Sequence, residues 1–311
     1  MLICDICSSQ MRVYIPTISD PITGESFSIY ECIRCGLKST YPHPDDVAVY
    51  YDDKYHGGRH GFTAAFRAMQ RFKLVRKLVK TTNQKLLDIG CGDGTFINFA
   101  RHNGWDVRGT ELNITQALLE KGDVVRTIDE LTGLEKFDAV TLWHSFEHLT
   151  DPEFDLLKIK KILNHEGVLI LAVPDSGGWQ ARVFKHKWLH YDVPRHLYHY
   201  DFKSLEYILK KCGFKIIMTK HQEFEYDIMG WIQSALDSIM SVKRILLNYF
   251  MNKPGKVSKG EFYTNILAGG LLFIMALPLV IVGNLSGKNG TIVVVAKLRE
   301  TGDVEVNANS K

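Results

Sequence analysis

At 311 residues, with 45% apolar and 23% charged side chains, the chain can form a main domain with appendages around an ordinary globular core. A net charge of +3 is too small to argue by itself for nucleic acid or another polyanionic partner. Six cysteines are too few for a disulfide scaffold. The start MLICDICSSQ holds two cysteines and an aspartate where a secretory signal has a basic segment and an apolar run, so a cytoplasmic location is expected.

Residues 1–45 are loop-rich and cysteine-paired, ending in the stiff stretch Tyr41-Pro42-His43-Pro44. Cys4-x2-Cys7 and Cys32-x2-Cys35 form two knuckles, and Gly36 supplies a tight turn after the second. Two residues between thiolates let both sulfurs face one metal, and two such pairs complete a closed tetrahedral set. A segment with so few large apolar residues gains from a metal the folding free energy its core lacks. The expectation is a structural zinc ribbon on Cys4, Cys7, Cys32 and Cys35. Fortuitous pairs or redox thiols are the competing readings.

Residues 46–82 turn helical as a linker or lid, with a break at Tyr55-His56-Gly57-Gly58. Short β-rich runs then alternate with helical ones. Strands are expected at 85–90, 105–112, 123–128, 137–143, 167–174, 214–220 and 291–298, with helices at 151–164 and 201–212 among those between. This alternation predicts a parallel sheet with helices on both faces, over 83–222 and 291–300. Residues 223–290 break the rhythm and read as an insertion, and 301–311 as a polar tail.

The stretch LLDIGCGDGTF (86–96) is an apolar strand entering Asp88, then Gly90-x-Gly92-x-Gly94, then a helix. Glycines allow the backbone to turn sharply and a ligand to sit against it. A dinucleotide site spaces its glycines Gly-x-Gly-x-x-Gly and rests a pyrophosphate on the helix. Here the third glycine comes one residue early, and Asp88 and Asp93 would repel a pyrophosphate but suit a ligand bearing an ammonium and a sulfonium. Glu111 ends the second strand, where a carboxylate can accept both hydroxyls of a ribose.

With DIGCGDG, Glu111 and FDAVTLWHSFEHLTDP, the chain resembles class I S-adenosylmethionine-dependent methyltransferases. Glu147-His148-Leu149, Val173-Pro174-Asp175, the run Asp192 to Leu197 and Cys212-Gly213-Phe214 resemble one subgroup, whose members often carry a four-cysteine ribbon ahead of the catalytic domain. The resemblance covers about residues 1–220 and the last strand, not the insertion. It implies an α/β, Rossmann-like seven-stranded sheet of order 3-2-1-4-5-7-6 with strand 7 antiparallel. It also implies that Asp88, Gly90, Gly92 and Gly94 line the methionine end of S-adenosylmethionine, that Glu111 holds the ribose, and that Leu112, Ile128 and Asp129 flank the adenine. His144 is then expected beside the sulfonium.

Methyl transfer to oxygen or carbon needs a proton removed, which favours a histidine titrating near the working pH. Strand ends face the ligand in open α/β sheets, so His148 and His196 are the expected bases. Two plainer roles stand beside this: Glu147-His148 can cap the following helix, and Arg195 with Asp192 can form an ion pair that shapes the loop. The expected acceptor is a small or carrier-linked molecule, such as a sugar or a lipid-linked cell-envelope precursor. The alternative, a nucleic-acid acceptor read by the ribbon, requires a basic ribbon face, yet residues 1–45 hold only Arg12, Arg34 and Lys38 as bases.

Within the insertion, Ile266 to Val282 is an uncharged apolar run at the lower length limit for a membrane span. Strands before and after it must share one sheet, so the chain has to leave and return on one side. The expectation is a shallow re-entrant loop broken near Gly269-Gly270 or Pro278. An interfacial helix across 228–250, with Trp231 and the bases Lys243, Arg244, Lys253, Lys256 and Lys259, would precede it on the inner face of a membrane. A helical cap or dimer interface is the other reading.

Overall fold

The structure is a computed structural model that describes residues 2–20, 23–50, 63–114, 118, 122–131, 135–240, 244–250 and 257–300. The expected break at 55–58 and the expected bases Lys243, Lys253 and Lys256 lie outside the described residues, as does the tail.

The N-terminal segment forms an antiparallel meander of β1 (Met11–Ser19), β2 (Ser26–Cys32) and β3 (Lys38–Tyr41). Helix α1 (Ala64–Leu78) leads into β4 (Lys85–Ile89), α2 (Thr95–His102), β5 (Asp106–Thr110), β6 (Val124–Val125) and β7 (Phe137–Trp143). Then come α3 (Pro152–Ile162), β8 (Leu163–Pro174), α4 (Trp179–Phe184), β9 (Tyr198–His199), α5 (Phe202–Lys211) and β10 (Phe214–Lys220). Helices α6 (Phe224–Ile239), α7 (Ile245–Phe250) and α8 (Lys259–Leu285) precede the last strand, β11 (Thr291–Leu298).

The main sheet runs β10-β11-β8-β7-β4-β5-β6. Strands β6, β5, β4, β7 and β8 are parallel, and β11 is antiparallel to both β8 and β10. In catalytic-sheet numbering this is 3-2-1-4-5-7-6, as the resemblance implies. A parallel sheet is covered on both faces, and every residue of β7 is buried. On one face Leu87, Val140, Leu142 and Leu169 pack with residues of α3 and α5. On the other, Leu86, Ala139, Val168 and Ile170 pack with residues of α1 and α2.

Some expectations are corrected. The third strand was expected over 123–128, but only Val124 and Val125 pair, with Gly109 and Thr110. It is a sheet edge, and past Val125 the chain turns into a single 3-10 turn at Ile128–Glu130. Strand β8 starts at Leu163, earlier than the expected 167, because Leu163 already pairs with Phe137 across a register shift.

The cysteine-bearing segment is welded to the rest. Strand β3 pairs with β9, Lys38 opposite His199 and Ser39 opposite Tyr198, so the segment's four-stranded sheet takes its last strand from the main domain. Cys4, Cys32 and Cys35 share one core with Leu197, Tyr198 and Leu209. Arg195, fully buried, reaches Asp20 at 2.7 Å and Asp192 at 2.8 Å. The loop-shaping role of Arg195 and Asp192 is therefore real, and it extends to the meander.

Among the described residues the insertion holds three helices, not a helix and a loop. The expected helix across 228–250 is two: α6 ends at Ile239 and α7 starts at Ile245. Arg244, expected to face lipid, turns inward to Asp192 at 2.8 Å. The expected re-entrant break is absent: α8 runs 27 residues with Pro278 inside it. Gly269 serves close packing rather than a turn, since a Cβ there would come 2.9 Å from Leu246. The buried face of α8 (Asn265, Gly269, Ala276, Val280 and Gly283) is mostly small, while Leu267, Leu271 and Leu285 are exposed.

Candidate active site

The glycine loop leaves β4 at the carboxyl end of the sheet. Gly90, Gly92 and Gly94 have φ of 73°, 58° and 76°, a region costly for any residue with a Cβ. A Cβ at Gly90 would also lie 2.6 Å from the Cβ of Ser145. The amides of Gly90 and Cys91 donate to the Thr110 carbonyl at 2.8 and 2.9 Å, which fixes the loop to β5. Glu111, one residue past β5, accepts from the Gly92 amide at 2.9 Å and the Asn113 amide at 3.2 Å. Asp88 is buried and accepts from the Thr141 hydroxyl at 2.6 Å. Burial, with Glu111 nearby, pushes its carboxyl up to about 7 against the pull of Thr141 and Arg71.

Past β7, His144 adopts φ 54°. Its Nε2 lies 2.5 Å from Glu223, its Nδ1 lies 3.7 Å from Glu147, and its ring stacks on Tyr226 at 3.8 Å. Burial opposes protonation, but the acidic groups of Tyr226, Glu223 and Glu147 outweigh it and raise His144 to about 10. This histidine is an imidazolium at neutral pH, held between carboxylates.

Glu147 is only 1% exposed, and neither carboxylate oxygen has a hydrogen-bond partner among the described residues. Burial would raise its carboxyl, but His144, His196 and His148 bring it down to about 2. The rings of His148 and His196 stand edge to face, 4.6 Å between centroids. The Nδ1 of His148 meets the Arg195 carbonyl, and that of His196 meets the His190 carbonyl, each at 2.8 Å. A carbonyl only accepts, so both Nδ1 atoms carry a proton, which leaves the lone pair on Nε2 whenever the ring is neutral. The Nε2 of His196 lies 3.9 Å from Glu147. Burial holds His196 below its ordinary value, although Glu147 and Asp192 oppose this, so it is neutral at pH 7.

One cavity of about 780 Å³ is lined by Asp88, Gly90, Gly92, His144, Glu147, His148 and His196. Of the residues singled out in the sequence, Asp88, Gly90, Gly92 and the three histidines share this cavity, whereas Gly94 is not among its described lining. Glu111, Leu112, Ile128 and Asp129 are not among its described lining. Leu112 is exposed, Ile128 packs on the core, and Asp129 turns outward to Lys158 at 2.6 Å.

Sequence reasoning missed Arg71, Glu223 and Tyr226. Arg71 on α1 pairs with Glu223 at 3.2 Å and lies over the Trp143 ring at 4.8 Å. Arg67 pairs with Glu225 at 3.1 Å. These pairs clamp α1 and the start of α6 across the cavity. Burial opposes ionisation of Tyr226, yet His144, Arg67 and Arg71 hold its phenol below the ordinary value. Pairs about 150 residues apart leave no local pattern to read.

The four knuckle sulfurs all lie within 4.8 Å of one another, Cys4 to Cys35 at 3.7 Å and Cys7 to Cys32 at 3.3 Å. These spacings are too long for disulfides. Tetrahedral zinc with bonds of about 2.3 Å would set its sulfurs about 3.8 Å apart. Ser8 and Gly36, with φ of 55° and 80°, turn the chain just after each knuckle. The donor set and spacing fit a closed metal site.

A seven-stranded sheet of this order, with glycine turns at the end of its first strand and an acid past its second, defines the class I methyltransferase fold. A family model described as a methyltransferase domain matches residues 59–219, about half of the chain. The chain belongs to this family. Among curated proteins it is 30% identical over 105 residues to the ubiquinone biosynthesis O-methyltransferase of Haemophilus ducreyi, covering 29% of this chain and 44% of that one. It is 26% identical over 138 residues to the protein of that name from Histophilus somni, covering 39% and 58%. The chain spans about half the length of the curated relatives it matches. The solved Phospholethanolamine N-methyltransferase 2 of Haemonchus contortus, in complex with phosphomonomethylethanolamine and S-adenosylhomocysteine, superposes with a TM-score of 0.52 at 17% identity. That match covers 96% of this chain and 71% of the other, and establishes the shared fold.

Proposed function

We propose that the chain transfers a methyl group from S-adenosylmethionine to an oxygen of a small or carrier-linked acceptor, such as a sugar or a lipid-linked cell-envelope precursor. The observation that carries this reading is the shared cavity: the glycine loop, His148 and His196 line one space. Both curated relatives are O-methyltransferases by name, which supports an oxygen acceptor. When bound, S-adenosylmethionine supplies an activated methyl on a sulfonium.

Gly90, Gly92 and Asp88 would hold its amino-acid end, and Glu111 would take the ribose. The main work left to the protein is to hold the acceptor on axis. His196 Nε2 would take the proton from the acceptor hydroxyl as that oxygen is methylated. Glu147 stabilises the imidazolium that results. From His196 the proton would pass to solvent. The ribbon cysteines would hold a structural zinc, since four thiolates leave no open position. A nucleic-acid acceptor gains no support: Arg12 is paired with Glu31, and Lys38 is buried against Ser176.

The outer face of α8 would rest on a membrane. Its exposed apolar residues support this, and α8, about 40 Å long, packs along α6 and α7 rather than standing clear of them.

S-adenosylmethionine or its demethylated product should raise the melting temperature, and Gly90→Arg should abolish the shift. Stabilisation by a nicotinamide dinucleotide instead would sink the reading. His196→Ala should lower turnover roughly 10²-fold with that shift retained. Because His196 titrates below its ordinary 6.5, wild-type turnover should hold above that pH and fall as acid protonates Nε2. The variant should lack this acid limb; an unchanged limb would assign the base elsewhere.

A further inference from the structure

The cavity that holds the glycine loop does not end at the histidines. It continues between the three helices of the insertion, where Ile228 and Ile232 of α6, Leu246 and Leu247 of α7, and Ile266 and Phe273 of α8 line it. Three arginines line the cavity, each neutralised: Arg71 by Glu223, Arg67 by Glu225 and Arg244 by Asp192. Apart from them the described lining toward α8 has no charged side chain. An anionic or sugar group would find neither a free cation nor a hydrogen-bonding wall there. The lining residues Phe250 and Phe273 are each more than 40% exposed, so the arm reaches the surface along the face that α8 presents.

Resting on the methyl-transfer reading, we infer that this arm holds the hydrocarbon tail of the acceptor, whose polar head meets the histidines. The acceptor is thus an amphiphile, one end a hydroxyl-bearing head and the other an acyl or isoprenoid chain. Such a molecule lies in a bilayer with its tail among apolar groups, and the arm offers the tail an equivalent surface. Helix α8 serves on both sides: Gly270 and Phe273 line the arm, while Leu267 and Leu271 face outward. Gly270 leaves the arm wide, because a Cβ there would meet nothing within 4 Å.

The test uses the full chain and dansyl amides of alkyl chains of about four, eight and twelve carbons, which should bind about fourfold more tightly per added methylene. Gly270→Phe, a change a helix interior tolerates, should weaken the longest probe at least about tenfold while the shortest changes little. Phe273→Asp, at a part-exposed position, should do the same. The melting shift with S-adenosylhomocysteine should persist in both. Affinity independent of chain length would overturn the inference. So would unchanged binding of the longest probe in both variants, since the probe would then sit outside the arm. A missing shift in the wild-type chain would instead defeat the methyl-transfer reading and leave the chain-length result standing.

Discussion

The cysteine-bearing segment and the helical insertion both lack enough core to stand alone, and they meet that shortage in opposite ways. The segment closes its deficit inward. It borrows β9 as a fourth strand, shares its cysteines with the main core, and sinks Asp20 onto the buried Arg195. The insertion closes only half of its deficit. Ile228, Ile232, Leu246, Ala276 and Val280 form a small cluster, while the opposite face of α8 keeps Leu267 at 76% and Leu285 at 82% exposure. Exposed apolar patches of this kind mark a surface meant for another phase or partner. Polar pairs and strand sharing fix a segment to one place; an apolar face left outward keeps it available.

The sharpest way to break this comparison is to remove the metal proposed for the cysteines. Binding of zinc to such sites contributes on the order of 10 kcal/mol or more to folding. Chelation or Cys32→Ser should therefore unfold the segment. Because β3 pairs with β9, the run from Asp192 to His199 should lose order with it. Hydrogen exchange at Tyr198 and His199 reads this directly. Retained protection there, with the segment unfolded, would show that the weld is nominal.

A smaller effect is expected at the buried ion pair. Asp20→Ala removes one of the two carboxylates on the buried Arg195 and leaves Asp192 in place, and should cost roughly 1–3 kcal/mol in urea unfolding. The transition should stay single, since the segment and the main domain share a core. Two separated transitions would split them into independent units.

Alkaline pH probes the clamp that joins the insertion to the site. His144 is raised to about 10, against the opposing effect of burial, by Tyr226, Glu223 and Glu147. A histidine raised in the folded state stabilises it fully below the ordinary 6.5 and loses that contribution as pH climbs through 10. Stability of the wild-type chain should fall across that window. His144→Gln should flatten the decline, and an equally steep decline in the variant would place its origin elsewhere.

The smallest stability change belongs to the outer face of α8. Leu271→Asp and Leu267→Asp alter exposed side chains and should shift stability by no more than about 0.5 kcal/mol. Flotation with anionic vesicles should nevertheless be lost. Undiminished flotation, or a wild-type chain that never floats, would leave a cap or dimer as the role of that face.

Much of the scaffold was legible from the chain alone because its signals are local or periodic. Three glycines at fixed spacing need positive φ, and all three have it. Apolar runs punctuated by helical periods fix a parallel sheet and, with it, the end where Gly90, Glu147 and His148 gather. The spacing of the cysteine pairs alone lets both sulfurs of each pair face one centre. The fold decided what depends on distance along the chain. Asp20 and Arg195 are 175 residues apart, and His144 and Glu223 are 79 apart. Neither pair obeys any period, because each partner sits in a loop or at a helix start, where the backbone imposes no repeat. Likewise, the run Ile266 to Val282 announced its hydrophobicity. Only packing decided that Gly269 would seat against Leu246 and keep the helix unbroken, leaving one face for the core and the other uncovered.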